Sequence, residues 1–139
     1  EAFIEEHELG TDALEESLTF ARFRDRLAGR KGVVKSALMN QSILAGIGNI
    51  YADEILFQAA VAPGRGVDAL DEKTLQRLYR TMRRVLKTAI RHHADPAQLP
   101  STYLLPHRDT DGCCPRCGSA LQKRKIAGRG AYFCPRCQQ

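Results

Sequence analysis

The tetrapeptide Cys-Pro-Arg-Cys occurs twice, as Cys114–Cys117 and Cys134–Cys137, with sixteen residues between the two copies. Two CxxC knuckles joined by a short hairpin bring four thiolates onto one tetrahedral Zn²⁺. A site made of four cysteines leaves no coordination position open. The spacing therefore predicts one structural zinc and no metal-borne hydrolysis. Two disulfides are the alternative. No secretory signal opens the chain, which favours a reducing compartment and hence the metal. A fifth cysteine, Cys113, abuts the first copy. The repeat assigns Cys114 as the ligand and leaves Cys113 a free thiol, with an exchange of the two as the alternative.

Between the knuckles lies "GSALQKRKIAGRGAYF". "LQKRKI" and "AYF" read as two strands and "AGRG" as their turn. Arg129 then sits at the tip between Gly128 and Gly130, with Lys123, Arg124 and Lys125 along one strand. A turn arginine is often merely solvated. A metal-pinned mount favours a working residue, since recognition groups commonly sit on loops held by a scaffold.

Charge is unevenly spread. Of 16 acids, seven stand in residues 1–16, leaving nine beyond them against all 21 lysines and arginines. The body is thus at +12 behind an acidic leader, a distribution that suits a polyanionic partner as well as a solvated basic surface. No run of 18 apolar residues exists to cross a bilayer. The chain begins at Glu1 rather than methionine, which suggests a fragment.

Upstream of the cysteines the pattern is helical. Thr19 is placed to cap a helix through about Ala28, with Phe20, Phe23 and Leu27 on one face and Gly29 ending it. A short helix is expected over about 33–39, with Val34, Ala37 and Leu38 inward. Asp71 caps the longest helix, to about His92. Its apolar stripe of Leu75, Leu78, Met82, Val85, Leu86 and Ala89 is core. Its other faces carry Lys73, Arg77, Arg80, Arg83, Arg84, Lys87 and Arg91, and His92 and His93 suit its C-terminal dipole. Residues 94–112 read as a linker with two proline breaks.

The segment "NQSILAGIGNIYADEIL", residues 40–56, holds glycines at 46 and 48 although glycine costs a helix roughly 1 kcal/mol relative to alanine. Asn49 can cap a helix to about Ala60, with Asp53 and Glu54 near its positive end. A Gly-x-Gly turn opening onto a helix start is a ready anion site, and the Asn49 amide can donate to the same oxygen. Close helix packing through Gly46 or a nucleotide site are the other readings. No strand precedes the motif, which disfavours a dinucleotide fold.

"LMNQSILAGIGNIYADEILFQAAVAPGR" resembles the helix-two-turn-helix segment of the formamidopyrimidine-DNA glycosylase/endonuclease VIII family. "CPRCGSALQKRKIAGRGAYFCPRC" resembles the C-terminal zinc finger of the same family. The likeness runs from about residue 9, at "LGTDAL", to 139. It implies that Gly46, Gly48 and Asn49 grip DNA backbone beside a lesion. It implies further that Lys31 and Lys35 approach DNA and that Cys114, Cys117, Cys134 and Cys137 bind the zinc. Arg129 would hold phosphate at the damaged site and take part in δ-elimination. Two positions depart from the pattern: Asn40 stands where aspartate is usual, and Ala131 where threonine or serine is common. The family's nucleophile is the amine of an N-terminal proline on a β-sandwich domain, and no residue of Glu1-Ala2-Phe3 matches it.

The reading is a mainly α fold, a helix-two-turn-helix bundle followed by a small zinc-bound β-hairpin finger. The divisions are an acidic linker 1–18, a DNA-binding domain 19–106 and a four-cysteine finger 107–139. The resemblance implies the DNA-binding C-terminal half of a base-excision repair glycosylase/AP lyase acting on oxidised bases in damaged double-stranded DNA. It implies a monomer in the bacterial cytoplasm, associated with the nucleoid, that needs the N-terminal glycosylase domain for catalysis. The alternatives are a stand-alone binder of damaged DNA and an RNA-binding zinc protein, both without catalysis.

Overall fold

Thr19 Oγ1 accepts from the Arg22 N–H at 3.3 Å and so starts α1, Phe20–Leu27. Gly29, at φ +76°, turns the chain away after it. These elements belong to a computed structural model that describes residues 15, 17–40, 47–91, 100–109, 111–126 and 128–139. The leader to residue 14, Gly46, His92 and His93 lie outside the described residues.

Three further helices follow: α2, Val34–Met39; α3, Asn49–Gln58; and α4, Glu72–Arg91. Asp71 Oδ1 accepts from the Thr74 N–H at 2.8 Å and caps α4 as expected. Thr74's hydrogen bonds hold the Asp71 carboxyl below its ordinary value. On α4, Leu78, Met82, Val85, Leu86 and Ala89 are fully buried, and Leu75 packs at the edge. They meet Phe23 and Leu27 of α1, Val34 and Leu38 of α2, and Ala52, Ile55 and Leu56 of α3 in one core.

The helix α3 runs through the middle. Every residue from Tyr51 to Phe57 is buried, so it has no solvent stripe. One side touches α2 and α4 and another touches the finger. There Phe57 joins Leu104, Cys114, Leu121 and Cys134 in a second, smaller core. The finger's strands are β1, Gln122–Ile126, and β2, Arg129–Phe133, antiparallel with Ile126 opposite Arg129. Among the described residues no helix is long and apolar enough to cross a membrane.

Two sequence expectations are corrected here. The turn is shorter than "AGRG": Arg129 is the first residue of β2, and Gly128, at φ +80°, supplies the tight bend. Asp53 and Glu54 are not first-turn acids serving the helix dipole. Both are buried and both are spent on tertiary bonds. Glu54 accepts the N–H groups of Leu104 at 2.7 Å and Leu105 at 2.8 Å, so it ties the chain entering the finger to α3.

Burial pushes the Glu54 carboxyl above its ordinary 4.5, and the bonds from Gln58, Leu104 and Leu105 offset only part of that. A carboxyl raised on folding keeps its proton longer in the folded chain than in the unfolded one. The unfolded state then deprotonates first, and stability falls as pH climbs from the ordinary value through the folded one. The E54Q variant has no proton to lose there. Urea unfolding of both proteins from about pH 4 to about pH 7 should show the parent's ΔG declining relative to E54Q. A pH-independent difference would remove this account of Glu54.

Candidate nucleic-acid interface and metal centre

The four sulfurs of Cys114, Cys117, Cys134 and Cys137 all lie within 4.8 Å of one another. The Cys114–Cys137 separation is 3.9 Å and the Cys117–Cys134 separation 3.5 Å. Tetrahedral zinc with Zn–S of about 2.3 Å requires S···S edges of about 3.8 Å, so the donor set fits the ion. No disulfide joins them, and Cys113 is exposed and outside the cluster. The Arg116 and Cys117 N–H groups point at Cys114 Sγ, at 3.3 and 3.4 Å, the backbone arrangement that steadies a thiolate. Ser119 lowers the Cys117 thiol to about 6, whereas burial and the neighbouring sulfurs push Cys137 up to about 12. Four thiols this close resist ionising together, and a divalent cation removes that conflict. The chain thus carries one structural zinc site, made by the residues the sequence assigned.

A polar junction holds the finger to the helices. Its hub is the Asp53 carboxylate on α3, completely buried. Lys35 Nζ of α2 lies 2.8 Å from Oδ1. Arg108 donates to Oδ2 through Nε at 3.1 Å and through its terminal nitrogen at 3.0 Å. The Tyr132 N–H donates to the same oxygen at 3.1 Å. A second hub is the carbonyl of Gly130 on β2. It accepts from Lys35 Nζ at 3.0 Å, Asn49 Nδ2 at 3.2 Å and Arg108 at 3.3 Å. A carbonyl has two lone pairs, so three donors, two of them cationic, leave the junction rich in positive potential. Burial pulls the Lys35 ammonium below its ordinary 10.5. Asp53 opposes this, and the like charges of Arg108 and Arg129 add to it.

Beside the junction is a cavity of 330 Å³ lined by Lys35, Ser36, Met39, Asn40, Ile126 and Arg129. Ser36 and Asn40 also line a neighbouring recess of 140 Å³, with Arg30, Lys31 and Gly32. The fold thus gathers Lys31, Lys35, Asn49 and Arg129, up to 98 positions apart, around one basic surface.

Individual residues sit differently from their sequence readings. Asn49 does not cap α3: Gly48 holds the N-cap position with no side-chain bond, and Asn49 is the first helical residue. Its amide reaches across to Gly130 instead, and its Oδ1 is buried with no partner among the described residues. Gly48 has ordinary extended dihedrals, φ −89° and ψ 178°. A Cβ there would meet nothing within 4 Å among the described residues. Lys35 is 1 % exposed, with its ammonium already engaged, whereas Lys31 and Arg129 are exposed. Sequence reasoning missed Arg108, placed in a linker. Besides Asp53 and Gly130 it stacks on the Tyr132 ring, 4.6 Å from its centroid. Nothing in the local pattern marks it, because its partner is 55 residues away.

Two known families match along the chain. The formamidopyrimidine-DNA glycosylase H2TH domain matches residues 9–101, and the zinc finger found in FPG and IleRS matches residues 114–139. The formamidopyrimidine-DNA glycosylase of Thermus thermophilus is 37% identical over 142 residues, taking in 94% of this chain and 53% of that protein. That of Heliobacterium modesticaldum is 38% identical over 141 residues, with 94% and 51% covered. The crystal structure of Lactococcus lactis formamido-pyrimidine DNA glycosylase, bound non-covalently to DNA containing an AP site, matches with a TM-score of 0.78. It is 32% identical and covers 99% of this chain and 52% of that one. The chain spans about half the length of the curated relatives it matches.

Proposed function

The chain belongs to the formamidopyrimidine-DNA glycosylase family, and on that footing we propose that it is a DNA-gripping half of a base-excision repair glycosylase/AP lyase. Its ligand is duplex DNA carrying an oxidised base or an abasic site, held by the phosphate backbone. The carrying observation is the meeting of α3's first residue with the finger at Gly130, next to the exposed Arg129. Gly48 supports the reading: a Cβ added there would meet nothing within 4 Å among the described residues, so the backbone at this position faces open space that a phosphate can approach.

Each residue then has a role. The first N–H groups of α3 at Gly48 and Asn49, together with the Asn49 amide, donate to a backbone phosphate, with Gly46 shaping the approach. Arg129 presents a permanent charge to the phosphate at the damaged site. It steadies the later elimination step, since a guanidinium stays protonated and is a poor nucleophile. Lys31 meets phosphate directly from the neighbouring recess. Lys35 acts from beneath, holding Gly130 and so the start of β2. The zinc, when bound, supplies rigidity to this mount and takes no part in bond breaking. The amine nucleophile belongs to further sequence of the relatives that this chain does not match. The assembly works as a monomer on bacterial DNA in the cytoplasm, nucleoid-associated.

Binding should be salt-dependent, with log affinity falling linearly against log salt as counterions are released. Asn49→Ala should weaken binding by roughly 1 kcal/mol on every duplex sequence alike, since it removes a backbone contact and no base contact. Fluorescence anisotropy with an abasic duplex, competed by intact duplex and by structured RNA, reads both effects. A folded Asn49→Ala protein that binds as the parent does would refute the site, and preference for the RNA would move the chain to the RNA-binding alternative.

A further inference from the structure

On α4, Arg80, Arg84, Lys87 and Arg91 recur at intervals of four, three and four residues. That spacing keeps them in one stripe along the helix, away from the buried face of Leu78, Met82, Val85 and Ala89. All four are exposed. With Tyr79, Arg83 and Thr88 they line a groove of 420 Å³, and no acid is among the described residues lining it. Arg83 does not belong with the four, because it donates to the Glu15 carbonyl at 3.1 Å and lies over the Tyr79 ring. Among the described residues the other four have neither a hydrogen bond nor an ion pair. The cleft around Arg129 is built by α2, the start of α3 and the finger, and it shares no residue with this groove.

The chemistry of the groove selects its partner. The core of a protein–protein interface is rich in aromatic residues and poor in charge. Here the one aromatic residue, Tyr79, is committed inward: its ring packs on Phe20 and Phe23 and its hydroxyl donates to the Leu18 carbonyl. What faces outward is cationic, the character of a nucleic-acid interface. The stripe spans roughly 17 Å at a 1.5 Å rise per residue. Over that length a duplex presents about ten phosphates, one per about 1.7 Å of axis. A duplex offers them on a rigid frame, whereas a flexible acidic peptide must lose conformational freedom to line up its charges.

We infer that the outer face of α4 binds the phosphate backbone of a second duplex DNA segment while the cleft holds the first. The choice of DNA as the polyanion rests on the proposed function; the site itself rests on the stripe. Lysine and arginine contacts to phosphate carry no sequence information, so this face takes intact and damaged duplex alike. Two DNA-binding faces on one chain let it engage a new segment before it releases the old one.

The test uses the full chain, zinc-loaded and labelled with ¹⁵N, and a short undamaged duplex. At low salt the side-chain Nε–H resonances of Arg80, Arg84 and Arg91 should shift as duplex is added, and the chain should saturate at two duplexes. With four phosphates contacted, affinity at this face should fall about 150-fold between about 50 and 200 mM salt. Two duplexes carrying donor and acceptor dyes should be brought together by the parent, with energy transfer between them. The variant R80Q/R84Q/K87Q/R91Q, all at exposed positions, should lose that transfer and still bind an abasic duplex one to one. Arginine resonances that stay in place on adding duplex would overturn the inference. So would saturation at one duplex, undiminished transfer in the variant, or stronger shifts of the same resonances with structured RNA or poly-glutamate than with duplex. Asn49→Ala and Arg129→Gln should leave the α4 shifts intact, so this face and the proposed grip at the cleft stand or fall separately.

Discussion

Chelating the metal at neutral pH is expected to release about one zinc per chain and to unfold the finger while leaving most of the helical core formed. The finger has little else to hold it. Its own core is Phe57, Leu104, Cys114, Leu121 and Cys134, and two of those five are ligands. Its sheet is a single hairpin of two five-residue strands, a unit that is marginal in water without further packing. Structural zinc contributes on the order of 10 kcal/mol at neutral pH, more than such a core supplies. The helices have their own core and should keep their circular dichroism. Metal analysis, helix signal and the amide resonances of β1 and β2 would be followed together. Cys134→Ser should reproduce the loss, because its sulfur is buried in the cluster, whereas Cys113→Ser should change nothing. Zinc-free protein with unshifted hairpin resonances would contradict this view of the finger.

The features legible in the sequence were those carried by local pattern. The CPRC repeat fixed the ligands because spacing alone brings two knuckles together. Thr19 and Asp71 announced α1 and α4 because a cap is a local bond between neighbours. The stripe of α4 has the helical period, so its buried face followed. The junction was not legible, for a physical reason. Asp53 looks like any acid early in a helix, and only tertiary placement shows that α3 is buried on every side. Its partners Lys35, Arg108 and the Tyr132 N–H come from three separate segments, which no periodicity links. Asn49 had the composition of a cap, yet Gly48 takes that position, leaving the amide free to cross to Gly130. The resemblance has Lys35 approach DNA, and lysine seldom survives burial unpaired. Here it is buried because it is paired.

Asp53→Ala should be the most damaging single change among the helices, at roughly 3–5 kcal/mol. The substitution strands Lys35, 1 % exposed, and Arg108, 15 % exposed at its side chain, with no counter-ion, and it leaves the Tyr132 N–H without its acceptor. Against a total stability of about 5–15 kcal/mol, such a loss moves the unfolding midpoint far. The order of effects distinguishes this network from simple packing. Lys35→Met should cost less than Asp53→Ala, because Asp53 keeps the bidentate Arg108 and the Tyr132 N–H. Arg108→Met should also cost less, since Lys35 remains on Oδ1. Asp53→Ala removes only a small side chain, so lost volume alone would cost less than the loss expected here. The loss should extend to function. With Asp53 gone, the cations that anchor Gly130 lose their own anchor, and β2 is no longer fixed at its first residue, Arg129. Urea unfolding with zinc saturating gives the stability order, and anisotropy on the abasic duplex under folded conditions gives the grip. If Asp53→Ala cost under about 1 kcal/mol, the carboxylate would not be the hub described here. Should it instead unfold the chain outright, the milder Asp53→Asn, which retains an acceptor oxygen for the Tyr132 N–H, keeps the ordering measurable.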